Sequence, residues 1–295
     1  MKKAILISII LAGLMAAGSR STSMMSVPEG DELSMLAAAV GDPPEISAQS
    51  ALIADLNTGK IIYEKDAGVI RQIASLAKIM TTVVLLENKG LDEVVRIRRT
   101  DRTLNSWLLN LRKDQKISVR DLLLAFMLES RNDAALYAAE SVKKSEDEFV
   151  TMMNRKAEEL GADNTVFTNC HGLEVNSSNF STAYDILKIT RYALENPVFR
   201  EIVQMKEADI KWTGNYVRKR HLKNVNRMLF MYDGVSGVKT GYTKQAGKCI
   251  TVTCKRDGRE VICILLGSKD IWKDSPRMLD FAFAKFRFDE YLRNN

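Results

Sequence analysis

The dipeptide Asp257-Gly258 stands between two apolar runs, residues 249–254 and 260–266, both rich in Ile, Val and Cys. No other feature constrains the fold as strongly. Asp-Gly between such runs predicts a β-hairpin with a two-residue loop. That loop fixes the register, with Cys254 opposite Val261 and Cys263 opposite Val252. The two cysteines then share a face but sit diagonally, about 7–8 Å apart, outside disulfide range. Cys170 and Cys249 complete the set of four, and buried free thiols are the expectation.

A second hairpin is predicted far upstream, with residues 51–54 and 61–63 around Asn57-Thr58-Gly59. The chain between the hairpins reads as helical. Ile79, Met80, Val83, Val84 and Leu86 recur at helical spacing, as do Leu122, Leu123, Phe126 and Met127. Residues 134–139 continue after a break. Ser145-Glu146-Asp147-Glu148 predicts a capped helix start, with a stop at Gly161. A further helix is predicted from Ser181-Thr182 to just before Asn196-Pro197, and Ser275-Pro276 is expected to cap a last one. Strands at both ends with helices between predict an α/β (α+β) fold: one sheet from distant segments, flanked by helices, with an inserted helical subdomain.

The N-terminus has the layout of a secretory signal: Lys2 and Lys3, an apolar run over residues 4–17, then Gly18 and Ser19. That run is short for a bilayer span, which takes about 20 residues. The expected organisation is a signal segment over residues 1–18, an exposed leader over 19–46 and a single catalytic domain over 47–295. This predicts export, with any membrane tether supplied by an uncleaved N-terminus. The formal net charge of +6 is spread along the chain without the interleaved aromatics that single-stranded nucleic acid requires, so nucleic acid is not expected as a partner. Two histidines argue against a histidine-based zinc site.

Three short patterns could carry chemistry. Ser75-Leu76-Ala77-Lys78 places a hydroxyl and an amine on one helical face. A lysine whose pKa is lowered can activate a serine. The spacing recurs at Ser141–Lys144 and Ser236–Lys239, so alone it says little. Ser130-Arg131-Asn132 falls in the break between helices, where Asn132 could equally be a helix cap; Ser177-Ser178-Asn179 repeats the pattern. Lys239-Thr240-Gly241 occurs once and leads toward the Cys249 strand. It reads either as an anion-binding strand that a ligand can approach closely or as an ordinary strand before a turn.

Taken together and in this order, Ser-x-x-Lys, Ser-x-Asn and Lys-Thr-Gly resemble the motif set of penicillin-binding proteins and serine β-lactamases. Residues 55–64 (DLNTGKIIYE), 74–81 (ASLAKIMT), 121–135 (DLLLAFMLESRNDAA), His171-Gly172-Leu173 and 181–185 (STAYD) are similar to the low-molecular-mass D-Ala-D-Ala carboxypeptidases. The resemblance implies a mainly antiparallel central sheet with the site between it and the helical subdomain. It implies Ser75 as acylated nucleophile, Lys78 as general base, and Ser130 and Asn132 in proton transfer and substrate positioning. Lys239 would tune the electrostatics beside Gly241, Thr240 would bind the terminal carboxylate, and the N–H groups of Ser75 and Tyr242 would form the oxyanion hole. It implies stem peptides ending in D-Ala-D-Ala as substrate, β-lactams as inhibitors, and neither metal nor organic cofactor.

Two departures from the family pattern concern loop geometry. Ile73 stands where proline is usual, and Asn179-Phe180 where a histidine is common. The family's additional carboxylate-binding basic residue has Lys273 as a stand-in here. Three rival functions share part of this reading. A class A β-lactamase needs a Glu-x-x-x-Asn segment, and Glu174-Val175-Asn176 has the wrong spacing. A D,D-endopeptidase attacks the same carbonyl. A non-enzymatic wall-peptide binder would be expected to have lost a motif residue, and none is missing.

Overall fold

The computed structural model describes residues 29–174 and 178–294. The signal segment, the first part of the leader, and Ser177 of the repeated triplet lie outside the described residues. Two compact units divide at Ala39 and Val40. Of the first, the described part is a helix, α1 (Glu29–Val40). Among the described residues no helix is long and apolar enough to cross a membrane.

The second unit is built on a five-stranded antiparallel sheet. Strands β1 (Ser50–Asp55) and β2 (Ile61–Lys65) form the first hairpin. Strands β9 (Val235–Thr243), β10 (Gly247–Arg256) and β11 (Arg259–Ser268) form the last ones. The order β2-β1-β11-β10-β9 puts the N-terminal strand beside the C-terminal hairpin. The Asp257-Gly258 register is as the sequence predicts: Cys254 pairs with Val261 and Val252 with Cys263. All four cysteines are buried and free.

The period-2 alternation of strands explains why these runs are apolar throughout. Ala51, Ile53, Val252 and Cys263 face one layer, and Leu52, Ala54, Ile262 and Ile264 face the other. The first layer is the final helix, α9 (Ile271–Asn294), through Met278, Leu279, Ala282 and Phe283, together with Met228 of the short helix α8 (Met228–Met231). The second holds the helices between: α2 (Lys78–Asn88), α3 (Val119–Leu128), α4 (Asn132–Val142), α5 (Glu146–Glu159), α6 (Ala183–Glu195) and α7 (Pro197–Val203). Ser145 and Thr182 cap α5 and α6 through side chains that accept from Glu148 N–H and Asp185 N–H.

Two features differ from the sequence expectation. The final helix starts at Ile271, so Pro276 lies inside it rather than at its start. Asp270 is the residue that caps it, its carboxylate accepting from Trp272 N–H. Tertiary bonds draw the earlier turn into the helix: buried Asp274 accepts from Ser47 N–H, Ser47 Oγ and Ser268 Oγ. There is also a second sheet, in the order β4-β5-β7-β8. Its strands are β4 (Val94–Arg96), β5 (Lys116–Ser118), β7 (Glu207–Thr213) and β8 (Val217–Lys223). β4 and β5 are short and β8 is mostly polar, whereas β7 alternates Ala208, Ile210 and Trp212 with polar residues, a period-2 strand signal present in the sequence.

Candidate active site

The chain enters the site along β3 (Arg71–Gln72), which pairs with β6 (Phe180–Ser181). The two departures from the family pattern meet here. Ile73 donates its N–H to the Asn179 carbonyl at 3.2 Å, a bond proline cannot make. Asn179 in turn holds the following loop: its Oδ1 accepts from Thr168 and Asn169 N–H, and its Nδ2 donates to the Asn169 carbonyl. Ala74 then turns with φ of 46°, and residues Ala74–Ala77 form a 3₁₀ turn running into α2. Side chains at i and i+3 eclipse in a 3₁₀ turn, which lays Ser75 directly over Lys78.

Lys78 is fully buried. Its Nζ lies 3.0 Å from Ser75 Oγ and 2.7 Å from Asn132 Oδ1, and it also contacts the His171 carbonyl. The pKa of Lys78 is held well below the ordinary lysine value, by burial first and then by the Lys239 charge. A neutral amine has two N–H groups and one lone pair. In the structure Lys78 Nζ donates to Ser75 Oγ, whose hydroxyl donates to the His171 carbonyl at 3.3 Å. With two N–H groups held by Asn132 Oδ1 and that carbonyl, loss of the third proton turns the lone pair toward Ser75 Oγ.

The His171 carbonyl is brought there by a loop tied at every residue. Asn169 Oδ1 accepts from the N–H groups of His171 and Gly172, and Thr81 Oγ1 donates to the Cys170 carbonyl at 2.6 Å. Glu146 at the start of α5 accepts from Cys170 N–H at 2.9 Å. The His171 ring is buried, its Nδ1 accepting from Leu173 N–H, and burial with the Lys78 charge pushes its pKa down to about 3. The ring is therefore neutral across the physiological range.

Asn132 is not a helix cap. The cap of α4 is Arg131, whose side chain makes no capping bond, and the Asn132 amide spans the site from Lys78 to the Ser106 carbonyl. Ser130 turns with φ of 60° and Trp107 with φ of 54°, so uncommon backbone conformations gather at this site, as they do where geometry serves chemistry. The decoy patterns lead elsewhere. Ser141 Oγ donates to the Ala138 carbonyl, and Ser236 Oγ sits 3.0 Å from Thr253 Oγ1.

The other wall is β9, the free edge of the main sheet. Gly241 lies flush on the Ser75 turn: a Cβ there would come within 2.9 Å of Ser75 N and 3.1 Å of the Ile73 oxygen. Lys239 is buried, its Nζ donating to the Thr240 carbonyl at 3.0 Å, and burial lowers its pKa to about 7. Thr240 and Tyr242 face the opposite way, into a cleft of about 300 Å³ that also exposes Ser75, Ser130, Asn132 and Gly241.

The cleft includes residues that no sequence pattern marked. Trp107, Val225 and Trp272 join Leu173 of the His171-Gly172-Leu173 segment as its apolar walls, and Lys248 adds a cation. Lys248 pairs with Tyr242 across β9 and β10, so the register places both side chains on the cleft face. Lys273, the stand-in from sequence, does not line the cleft; it is three-quarters exposed beside Asp270. A cavity of about 280 Å³ against β4 and Glu140 contains no motif residue.

A serine over a buried lysine, set between an antiparallel sheet and a helical subdomain, defines the penicillin-binding class of serine peptidases. Residues 37–270 match the family described as D-alanyl-D-alanine carboxypeptidase. The chain is 32% identical over 264 residues to the D-alanyl-D-alanine carboxypeptidase DacF of Bacillus subtilis, covering 84% of this chain and 65% of DacF. It thus spans just under two thirds of that relative's length. It is 30% identical to the D-alanyl-D-alanine endopeptidase of Escherichia coli, over 78% of this chain and 74% of that protein. The structure of penicillin-binding protein D2 of Listeria monocytogenes in its ampicillin-bound form superposes with a TM-score of 0.72 at 28% identity, covering 82% of this chain and 99% of that one. The chain belongs to the D-alanyl-D-alanine carboxypeptidase family.

Proposed function

We propose that this chain removes the terminal D-alanine from peptidoglycan stem peptides through an ester at Ser75. The observation that carries the reading is the buried Lys78 amine, 3.0 Å from Ser75 Oγ with its two N–H groups already engaged. Lys78 takes the hydroxyl proton as Ser75 Oγ attacks the carbonyl carbon of the penultimate D-Ala. The N–H groups of Ser75 and Tyr242 hold the developing oxyanion. Thr240 receives the terminal carboxylate, with Lys248 on the same face of the sheet and Lys239 tuning the electrostatics from the buried face. Ser130, assisted by Asn132, gives its proton to the leaving amine and regains one from Lys78, which is thereby neutral again, and D-alanine departs. Water then attacks the ester, giving a proton to Lys78, which returns it to Ser75 Oγ as the ester bond breaks. A β-lactam forms the same ester.

Among the described residues no carboxylate lines the cleft, and Glu174 is engaged by the Thr243 hydroxyl. That argues against a β-lactamase, which needs an acid to activate the deacylating water. Endopeptidase action stays as a second reading, favoured by the similarity to the E. coli endopeptidase; it differs only in the amine that leaves. The basic, then apolar, N-terminal sequence supports export to the cell envelope, with residues 1–18 as signal, 19–46 as leader and 47–295 as the catalytic domain. The test is a mass increase at Ser75 after incubation with penicillin, together with D-alanine release from a D-Ala-D-Ala peptide, Ser75→Ala serving as control. Adduct and release lost together in that variant are expected. Adduct with cleavage of crosslinked muropeptide alone selects the endopeptidase, and no adduct overturns the reading.

A further inference from the structure

The middle residue of the Ser-x-Asn triplet has no part in the chemistry above. In an ordinary surface turn such a side chain extends into water. Arg131 instead folds back, with 17% of its side chain exposed. Its Nε and Nη2 donate to Glu129 Oε2 at 2.9 and 2.6 Å, and its Nη1 donates to the Leu108 carbonyl at 3.1 Å. The same Glu129 oxygen receives Arg220 Nη2 from β8 at 2.8 Å. One mostly buried carboxylate therefore joins the catalytic turn to the second sheet, in a setting where ion pairs are screened less than at the surface.

These bonds reach both sides of the turn. Glu129 and Arg131 flank Ser130, so their side-chain pair closes a ring over a serine held at φ of 60°. Serine adopts that conformation only where its surroundings enforce it. The Leu108 bond belongs to the loop that carries Trp107 into the cleft. Asn132 N–H holds the Trp107 carbonyl at 2.8 Å, and Asp133 Oδ1 holds Leu109 N–H at 2.7 Å. Arg131 stands between these two, the one member of the series that also grips the far side of Ser130.

We propose that Arg131, clamped by Glu129 and Arg220, is a positioning residue that keeps the Ser130 hydroxyl and the Trp107 wall in register with Ser75. The proposal rests on the reading of Ser75 as the acylated nucleophile. Methionine at this position removes every side-chain bond that Arg131 makes and leaves the Arg220–Glu129 bond in place. Lysine reaches Glu129 but cannot also supply the Leu108 carbonyl with the fixed fork of a guanidinium.

The experiment measures the rate constant of acylation by a fluorescent penicillin, per active site counted by penicillin titration, in the full chain. Arg131→Met is expected to slow acylation between about 10- and 100-fold, the effect of a displacement on the order of 1 Å, with Arg131→Lys in between. Glu129→Gln combined with Arg131→Met is expected to be no slower than Arg131→Met alone, because the two residues act through one clamp. A merely structural role would lower the number of titratable sites or the melting temperature and leave the rate per site at the wild-type value; that result overturns the proposal. Should Arg131→Met fail to fold, Arg220→Gln decides from a more exposed position: a several-fold slower rate per site supports the clamp, and an unchanged rate overturns it. A wild-type chain that takes no penicillin overturns both the function and the clamp, whereas a normal wild-type rate with unaltered variants overturns the clamp alone.

Discussion

At the residue scale the site turns on one lysine whose pKa is held down. Lys78 has no carboxylate among its hydrogen-bond partners, and burial is the largest cause of its lowered pKa. Replacing it by methionine keeps most of the volume and removes the amine. Lys78→Met is expected to slow penicillin acylation of Ser75 by about 10²- to 10⁴-fold, measured by labelling of the intact protein; a rate within a few-fold of wild type would remove Lys78 as the base. In the wild-type chain acylation should rise with pH as Lys78 loses its proton, on a limb well below the ordinary lysine value of 10.5. The residue types of this site were legible in the sequence because three patterns coincide in order. Their settings were not. Asn132 reads locally as a helix cap, and only the fold carries its amide across to Lys78, 54 positions away.

At the scale of elements, three segments remote in sequence fit against one another with almost no clearance: the 3₁₀ turn of Ser75, the loop of His171 and the edge strand β9. Gly172 shows how tight the fit is. Its φ is 83°, and a Cβ there would fall 2.2 Å from the Ala74 oxygen and 2.7 Å from Ser75 N. The strained backbone and the clash must both be relieved by moving the loop, which pulls the His171 carbonyl from Lys78. Gly172→Ala is therefore expected to cost about 1–3 kcal/mol of stability and to lose most acylation, read by thermal melting and active-site titration; a variant with wild-type rates would show that the carbonyl's position is immaterial. The hairpins were legible at this scale, since Asp-Gly between apolar runs allows one register. The start of α9 was not, because Ser275-Pro276 is a good local cap and the contest was won by bonds from Asp274 to Ser47 and Ser268. In the second sheet β7 alone carried a legible alternation, Ala208, Ile210 and Trp212 between polar residues; β4, β5 and β8 are stabilised by what they pack on more than by their own pattern.

For the whole molecule, the buried titratable groups predict how stability depends on pH. His171 titrates near 3 when folded against 6.5 when unfolded, and Lys239 near 7 against 10.5. Between each pair of values the unfolded chain binds more protons, so stability rises with pH, through His171 from about 3 to 6.5 and through Lys239 from about 7 to 10.5. The thiols of Cys249 and Cys254 are raised from 9.0 to about 11. They act with the opposite sign, reducing stability as pH climbs through that range. Melting temperature should therefore increase from pH 4 to pH 8 by differential scanning fluorimetry. His171→Asn, which keeps an acceptor for Leu173 N–H, should flatten the acid limb, and an unaltered slope there would mean that His171 does not titrate on unfolding. By itself the sequence determined which residues alternate across the sheet, where the Asp257-Gly258 hairpin turns, and which side chains are able to carry acyl transfer. Those are properties of short segments, set by turn geometry, side-chain period and functional-group chemistry. Only the tertiary structure decided that Lys78 is dry, with its pKa held well below the ordinary lysine value, that Lys248 rather than Lys273 reaches the cleft, and that Trp107 forms its wall. Desolvation and close approach depend on segments that meet only after the chain has closed around them.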